Sequence, residues 1–128
     1  MAGFMRSYES QTYALLRIVA GFLFFWHGSQ KILGFPPPPP EMAGAPAPII
    51  WISGLIELVG GLFVMVGLFT RWAAFLSSGL MAFAYWMAHG FKGLLPITNG
   101  GELAVIYCFV FLYISARGGG MYSFDGGA

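Results

Sequence analysis

Tyr13-Ala-Leu-Leu-Arg-Ile-Val-Ala-Gly-Phe-Leu-Phe-Phe-Trp-His-Gly-Ser-Gln-Lys-Ile-Leu33 is a largely apolar run of 21 residues that carries Arg17, His27 and Lys31. At about 1.5 Å per residue a helix of this length crosses a hydrocarbon core of about 30 Å. A charge inside that core costs about 2.5 to 3.5 kcal/mol on insertion scales, so such side chains face partners, water or a ligand. The run therefore predicts a membrane helix whose polar residues turn into a bundle.

Three further runs extend this reading. Residues 49–69 form a second run of 21, with Glu57 inside it, and 72–89 form a third that ends on His89. The fourth, 103–116, is shorter and is expected to recruit 98–102 as its first turn, which adds Glu102. The predicted fold class is all-α and integral to the membrane. It is one domain over 1–128, an antiparallel bundle of four transmembrane helices at about 13–33, 49–69, 72–89 and 98–116.

Composition agrees with that class. Charged residues make up 9% of the 128 and the mean hydropathy is +0.75, whereas a soluble domain carries about 25% charged residues. A net charge of +1 offers no basic patch for nucleic acid. Cys108 is the single cysteine, so no intramolecular disulfide forms, and no Cys/His spacing suits a metal site. Its apolar surroundings on the fourth helix point to an inert thiol.

The connections fit four spans. Seven prolines in residues 34–48, five of them consecutive at 36–40, cannot continue a helix and make a stiff bridge outside the membrane. Thr70-Arg71 is read as the tight turn between helices two and three, Gly90-Phe91-Lys92-Gly93 as the break after helix three, and 118–128 as a Gly-rich tail. Its Tyr122, Ser123 and Asp125 either dock on the helix ends or a soluble partner, or stay on the surface. Lys31 and the prolines follow the first run where a signal peptide would need a small-residue cleavage site, so that helix is expected to stay in the mature chain. Arg6, Arg71 and Arg117 lie on one side and Lys31 and Lys92 on the other. By the positive-inside rule both termini are cytoplasmic, in a bacterial inner membrane.

Depth sorts the polar residues. His27 lies about 9 Å and Glu57 about 12 Å below the outer ends of their helices, and Lys31 sits one turn above His27. His89 and Glu102 are expected at the outer ends of helices three and four, so these five converge on the outer half. Arg17, about 21 Å below Lys31, belongs to the inner side, in reach of headgroups, carbonyls or a neighbouring helix. Glu57 shares a face with Ser53, Gly54, Gly60 and Gly61, and Arg17 with Gly21 and Gly28, small residues that let backbones approach. Phe24, Phe25, Trp26, Phe83 and Trp86 offer aromatic walls, while Trp51, Trp72, Trp86 and the tyrosines near the helix ends equally suit interfacial belts.

Arg17-Ile-Val-Ala-Gly-Phe-Leu-Phe-Phe-Trp-His-Gly-Ser-Gln-Lys31, with Gly34 after it, resembles the first-helix signature of the DoxX family of small four-helix bacterial membrane proteins. Glu57-Leu-Val-Gly-Gly61, Gly67-Leu-Phe-Thr-Arg71, Asn99-Gly-Gly-Glu102 and Gly118-Gly-Gly-Met-Tyr-Ser-Phe-Asp125 continue the resemblance, with Gly119 where the tail motif often has proline. The resemblance implies a redox-linked membrane subunit related to the membrane subunit of thiosulfate:quinone oxidoreductases. It nominates Arg17, His27, Lys31, Glu57 and Glu102 as matching positions.

The residues themselves leave several readings open. A quinone site needs an apolar slot, donors for the ring carbonyls and a proton path. His27 or Lys31 suits the second and Glu57 the third, which makes Glu57 the candidate proton-transfer group. The same residues with His89 and Glu102 equally suit an internal ion-pair network in a non-catalytic subunit of a larger respiratory or oxidoreductase complex. Haem b held by His27 and His89 is disfavoured by their unequal depths. Ion transport lacks a broken helix or an inverted repeat. No metal ligand set or intrinsic cofactor is expected, and the expected partners are lipid, quinone and other membrane subunits.

Overall fold

The computed structural model describes residues 3–40, 44–90 and 92–126, so parts of the proline bridge, the 90–93 break and the end of the tail lie outside it. Every regular element among them is helical. A 3-10 turn, Gly3–Tyr8, leads into α1, Glu9–Ile32; α2 is Ala47–Val66; α3 is Thr70–Tyr85, continued by one wide π turn, Trp86–Gly90; α4 is a single turn, Pro96–Asn99; and α5 is Glu102–Arg117.

Local chemistry explains where these boundaries differ from the sequence expectations. Helix α2 starts with Pro48 in its first turn, where a missing N–H costs nothing. It ends at Val66, three residues before the expected limit, because Gly67 takes the left-handed conformation (φ 74°) and its N–H turns back to Phe63 and Val64. The connection to α3 is therefore 67–69, and Thr70 already belongs to α3. The expected first turn of the fourth helix is instead the separate α4, cut off by Gly100 at φ 79°. Asn99 turns its Oδ1 back to accept from Gly101 N–H (2.9 Å), so α5 begins at Glu102.

The helices pack as two tight antiparallel pairs, α1 with α2 and α3 with α5, joined by a looser α2–α3 contact. Glycine makes the first pair tight. A Cβ at Gly21 would lie 2.5 Å from Met65 N, and one at Gly61 would lie 2.6 Å from Phe25 N, so the two backbones touch directly. The α1–α5 seam is built differently, from side chains: Phe24 meets Tyr107 and Phe111 at ring separations of 5.3 and 4.7 Å, and Tyr13 meets Tyr113 edge-on.

Polarity is inverted relative to a water-soluble protein. Arg17, Glu57, Thr70, Ser77 and Ser78 are buried, while Leu15, Val19, Leu23, Ile52, Leu55, Phe75, Leu76, Ile106 and Phe109 face outward. An apolar exterior around a polar interior suits lipid as solvent. Among the described residues α2 is the one helix that is both long and apolar enough to cross a bilayer by length and composition. The 24 residues of α1 are long enough but carry charge, and α3 and α5 are each 16 residues long.

Candidate functional site: a buried ion pair beside an aromatic seam

The end of the bundle where α1 finishes and α2 begins, here called the far end, holds the polar group. Gly54 lies so close to α1 that an added Cβ would meet the Lys31 Cβ at 2.7 Å, which puts the lysine stem against α2. The Lys31 ammonium reaches Glu57 Oε1 at 2.9 Å and donates to Ser53 Oγ at 3.0 Å; Ser53 in turn donates to the Ile50 carbonyl. Glu57 is 3% exposed. The pair stands at hydrogen-bonding distance, and a carboxylate engaged by a single cation keeps further acceptor capacity.

His27 lies one turn below Lys31, half-buried, with its ring edge-on to Tyr107 at 6.0 Å. Tyr107 stacks on Phe111 and lies within electrostatic reach of Glu57. The arrangement thus joins α1, α2 and α5: a cation, a carboxylate, an imidazole and a phenol beside an aromatic surface. Such a set can donate to a carbonyl oxygen, stabilise a developing negative charge and exchange a proton at Glu57.

Two expected members stand apart. His89 points its Nδ1 at the Asn99 carbonyl (3.1 Å). There it joins a loop knot in which Asn99 Nδ2 donates to Tyr85 Oη and to the Gly93 carbonyl. Glu102 is exposed in the first turn of α5, where an acid favours the helix dipole. The expected convergence of five residues is therefore corrected to Lys31 and Glu57, with His27 adjacent. The two histidines have different partners on different elements. Of the expected aromatic walls, Phe24 is buried in the seam, while Phe83 and Trp86 face outward.

Tyr107 was not singled out by the sequence reading. Its signal is the spacing Tyr107, Phe111, Ile114, one face of α5 and the buried one.

Arg17 occupies the opposite end, fully buried. Its Nη1 donates to the Val64 and Met65 carbonyls (2.7 and 2.8 Å), and its Nη2 donates to those of Met121 and Tyr122 (3.2 and 2.8 Å). Of the options open to it in sequence, neighbouring-helix carbonyls are what it takes, together with the C-terminal tail. That tail is docked. Asp125 accepts from Phe69 N–H, Thr70 N–H and the Thr70 hydroxyl at 3.0, 2.8 and 2.6 Å, capping α3. Partial burial opposes ionisation of Asp125, but the Thr70 and Phe69 hydrogen bonds and the Arg17 charge outweigh it and hold the carboxyl below the usual carboxylate range.

The DoxX family model matches residues 12–90. The chain belongs to the DoxX family. As a DoxX protein it is a membrane protein, of a family related to oxidoreductase-associated subunits. The match takes in Arg17, His27, Lys31, Glu57 and His89 and stops before α5 and the docked tail. A protein of Haemophilus influenzae, described as uncharacterized, is 42% identical over 125 residues, 94% of this chain and 93% of its own. No solved structure matches the chain.

Proposed function

We propose that this DoxX protein is a redox-linked subunit of the bacterial inner membrane that engages a quinone at the far end of the bundle. The observation that carries the proposal is the buried Lys31–Glu57 ion pair, which lies beside His27 and the Tyr107 ring. Four helices cross the membrane in this reading. Helix α1 spans with its charges turned inward, and α3 and α5 reach their full span with the wide π turn and the flanking turns. Both termini face the cytoplasm, since Arg6, Arg71 and Arg117 gather at their end.

The residues fit the demands of a quinone head group. Bound, a quinone supplies two-electron, two-proton redox chemistry. Lys31 Nζ and the His27 ring nitrogens are the donors available to ring carbonyls, and Glu57 Oε1 is the atom that holds and releases a proton. Phe24, Tyr107 and Phe111 are packed inside the α1–α5 seam and back the His27 ring from within. A second reading, a non-catalytic subunit that assembles with a larger membrane complex, is favoured by the direct backbone contact of α1 with α2 and by the docked tail.

Gentle purification followed by an absorption spectrum and analysis of extracted lipid tests the choice. The proposal expects co-purifying quinone in the wild type and its loss in Lys31→Met. A stoichiometric partner protein with no quinone in either sample favours the second reading. Reporter fusions test the topology: cytoplasmic signals at Gly3 and Gly127 with an external signal in 36–40 are expected, and opposite signals at the two termini would exclude four spans.

A further inference from the structure

Residues 118–126 return from the end of α5 across the ends of the other helices, and every long helix contributes to holding them. Tyr13 of α1 donates its hydroxyl to the Gly118 carbonyl at 2.6 Å, and Arg17 of α1 holds the Met121 and Tyr122 carbonyls. The N–H groups of Phe124 and Asp125 donate to Val66 and Gly67 at the end of α2 (3.2 and 2.8 Å), and the Asp125 carboxylate caps α3. Arg71 of α3 donates to the last carbonyls of α5, those of Ser115, Ala116 and Arg117. Gly67 leaves no room for a side chain, because a Cβ there would run into Ser123.

This matters because the bundle consists of two pairs. Within each pair the helices pack closely, whereas α1 and α5 meet through aromatic rings and the exposed Arg117–Glu9 ion pair, and α2 and α3 meet loosely. Among the described residues only the tail links α1, α2 and α3 at once through hydrogen bonds to a single segment. We propose that residues 118–126 are a strap that locks the α1–α2 pair to the α3–α5 pair. The end they close becomes the pivot of the bundle, and the far end, which holds Lys31 and Glu57, remains free to open. The strap is independent of what the far end binds.

Spin labels test this in the full chain with Cys108→Ser as background. A label at the exposed Phe124 reports strap docking. Paired labels at Leu15 and Leu112 report the strapped end, and paired labels at Leu33 and Leu103 report the far end, all outward-facing positions. Asp125→Ala is expected to turn the Phe124 label from immobile to mobile and to broaden and lengthen the Leu15–Leu112 distances, with the Leu33–Leu103 distances unchanged. If Asp125→Ala does not accumulate, Asp125→Asn, which retains one acceptor, gives the same comparison with smaller shifts. A mobile Phe124 label together with unchanged Leu15–Leu112 distances overturns the proposal, as does a Phe124 label that stays immobile.

Discussion

Arg17 and Glu57 are both buried charges in apolar helices, and the protein holds them in opposite ways. Arg17 spreads its charge over four backbone carbonyls drawn from α2 and the tail. Glu57 has one cation beside it, the Lys31 ammonium at 2.9 Å. Carbonyls cannot titrate, so the first arrangement is architecture. An ion pair with spare acceptor capacity can lose a proton, gain one or accept a ligand. The difference teaches that burial of a charge is not itself a functional signal; the chemical identity of its partners is.

The largest expected effect breaks the Arg17 end. Charge-assisted hydrogen bonds contribute about 1.5 to 3 kcal/mol each, so Arg17→Met, which loses four, should destabilise the fold by about 5 kcal/mol or more. Thermal unfolding in detergent measures it, and a small loss would mean that the carbonyls find other donors. At the far end the pattern should be different. Lys31→Met strands a buried carboxylate and should cost about 3 to 5 kcal/mol, whereas Lys31→Met/Glu57→Met removes both charges and should recover most of that loss. A double variant as unstable as the single one would show that the ion pair is architecture as well.

A smaller effect comes from the strap. Asp125→Ala removes a helix cap and should cost about 1 to 2 kcal/mol. Because the folded carboxyl titrates below its unfolded value, its contribution is fully present above the usual carboxylate range. It is lost as the pH falls through the lower folded value. Wild-type strap docking, read by the Phe124 label, should therefore persist down to that range and fail in stronger acid, while Asp125→Ala should show no such acid transition. The smallest effect is that of Glu102→Gln, an exposed change expected to stay within about 0.5 kcal/mol and to leave any quinone-dependent activity unaltered.

The helical class was legible in the sequence because apolar runs and glycine spacing are local signals. The Gly21/Gly28 and Gly54/Gly61 faces predict close backbone approach around the charges, and α1 and α2 make it. The pairing of Lys31 with Glu57 was legible too, since depth along two antiparallel helices follows from residue number. Helix ends were read less well: Gly67 and Gly100 cap through their backbone conformation, which a hydropathy run does not register. His89 and Glu102 were assigned to the cluster on depth alone, and depth does not say which way a side chain turns. Docking of the tail on the helix ends is one of the readings the sequence leaves open, and it does not select it because the tail's partners are largely backbone carbonyls and N–H groups contributed by segments far apart in the chain.

The central claim is that the far-end pair acts chemically while the strapped end only holds the fold. Quinone-dependent electron transfer in membranes containing wild type or Glu57→Gln, normalised to assembled protein, tests it most directly. The amide keeps the shape and one acceptor oxygen of the carboxylate but neither its charge nor an exchangeable proton at physiological pH. The account predicts that electron transfer per assembled protein is lost in Glu57→Gln; equal normalised activity in the two proteins would contradict it.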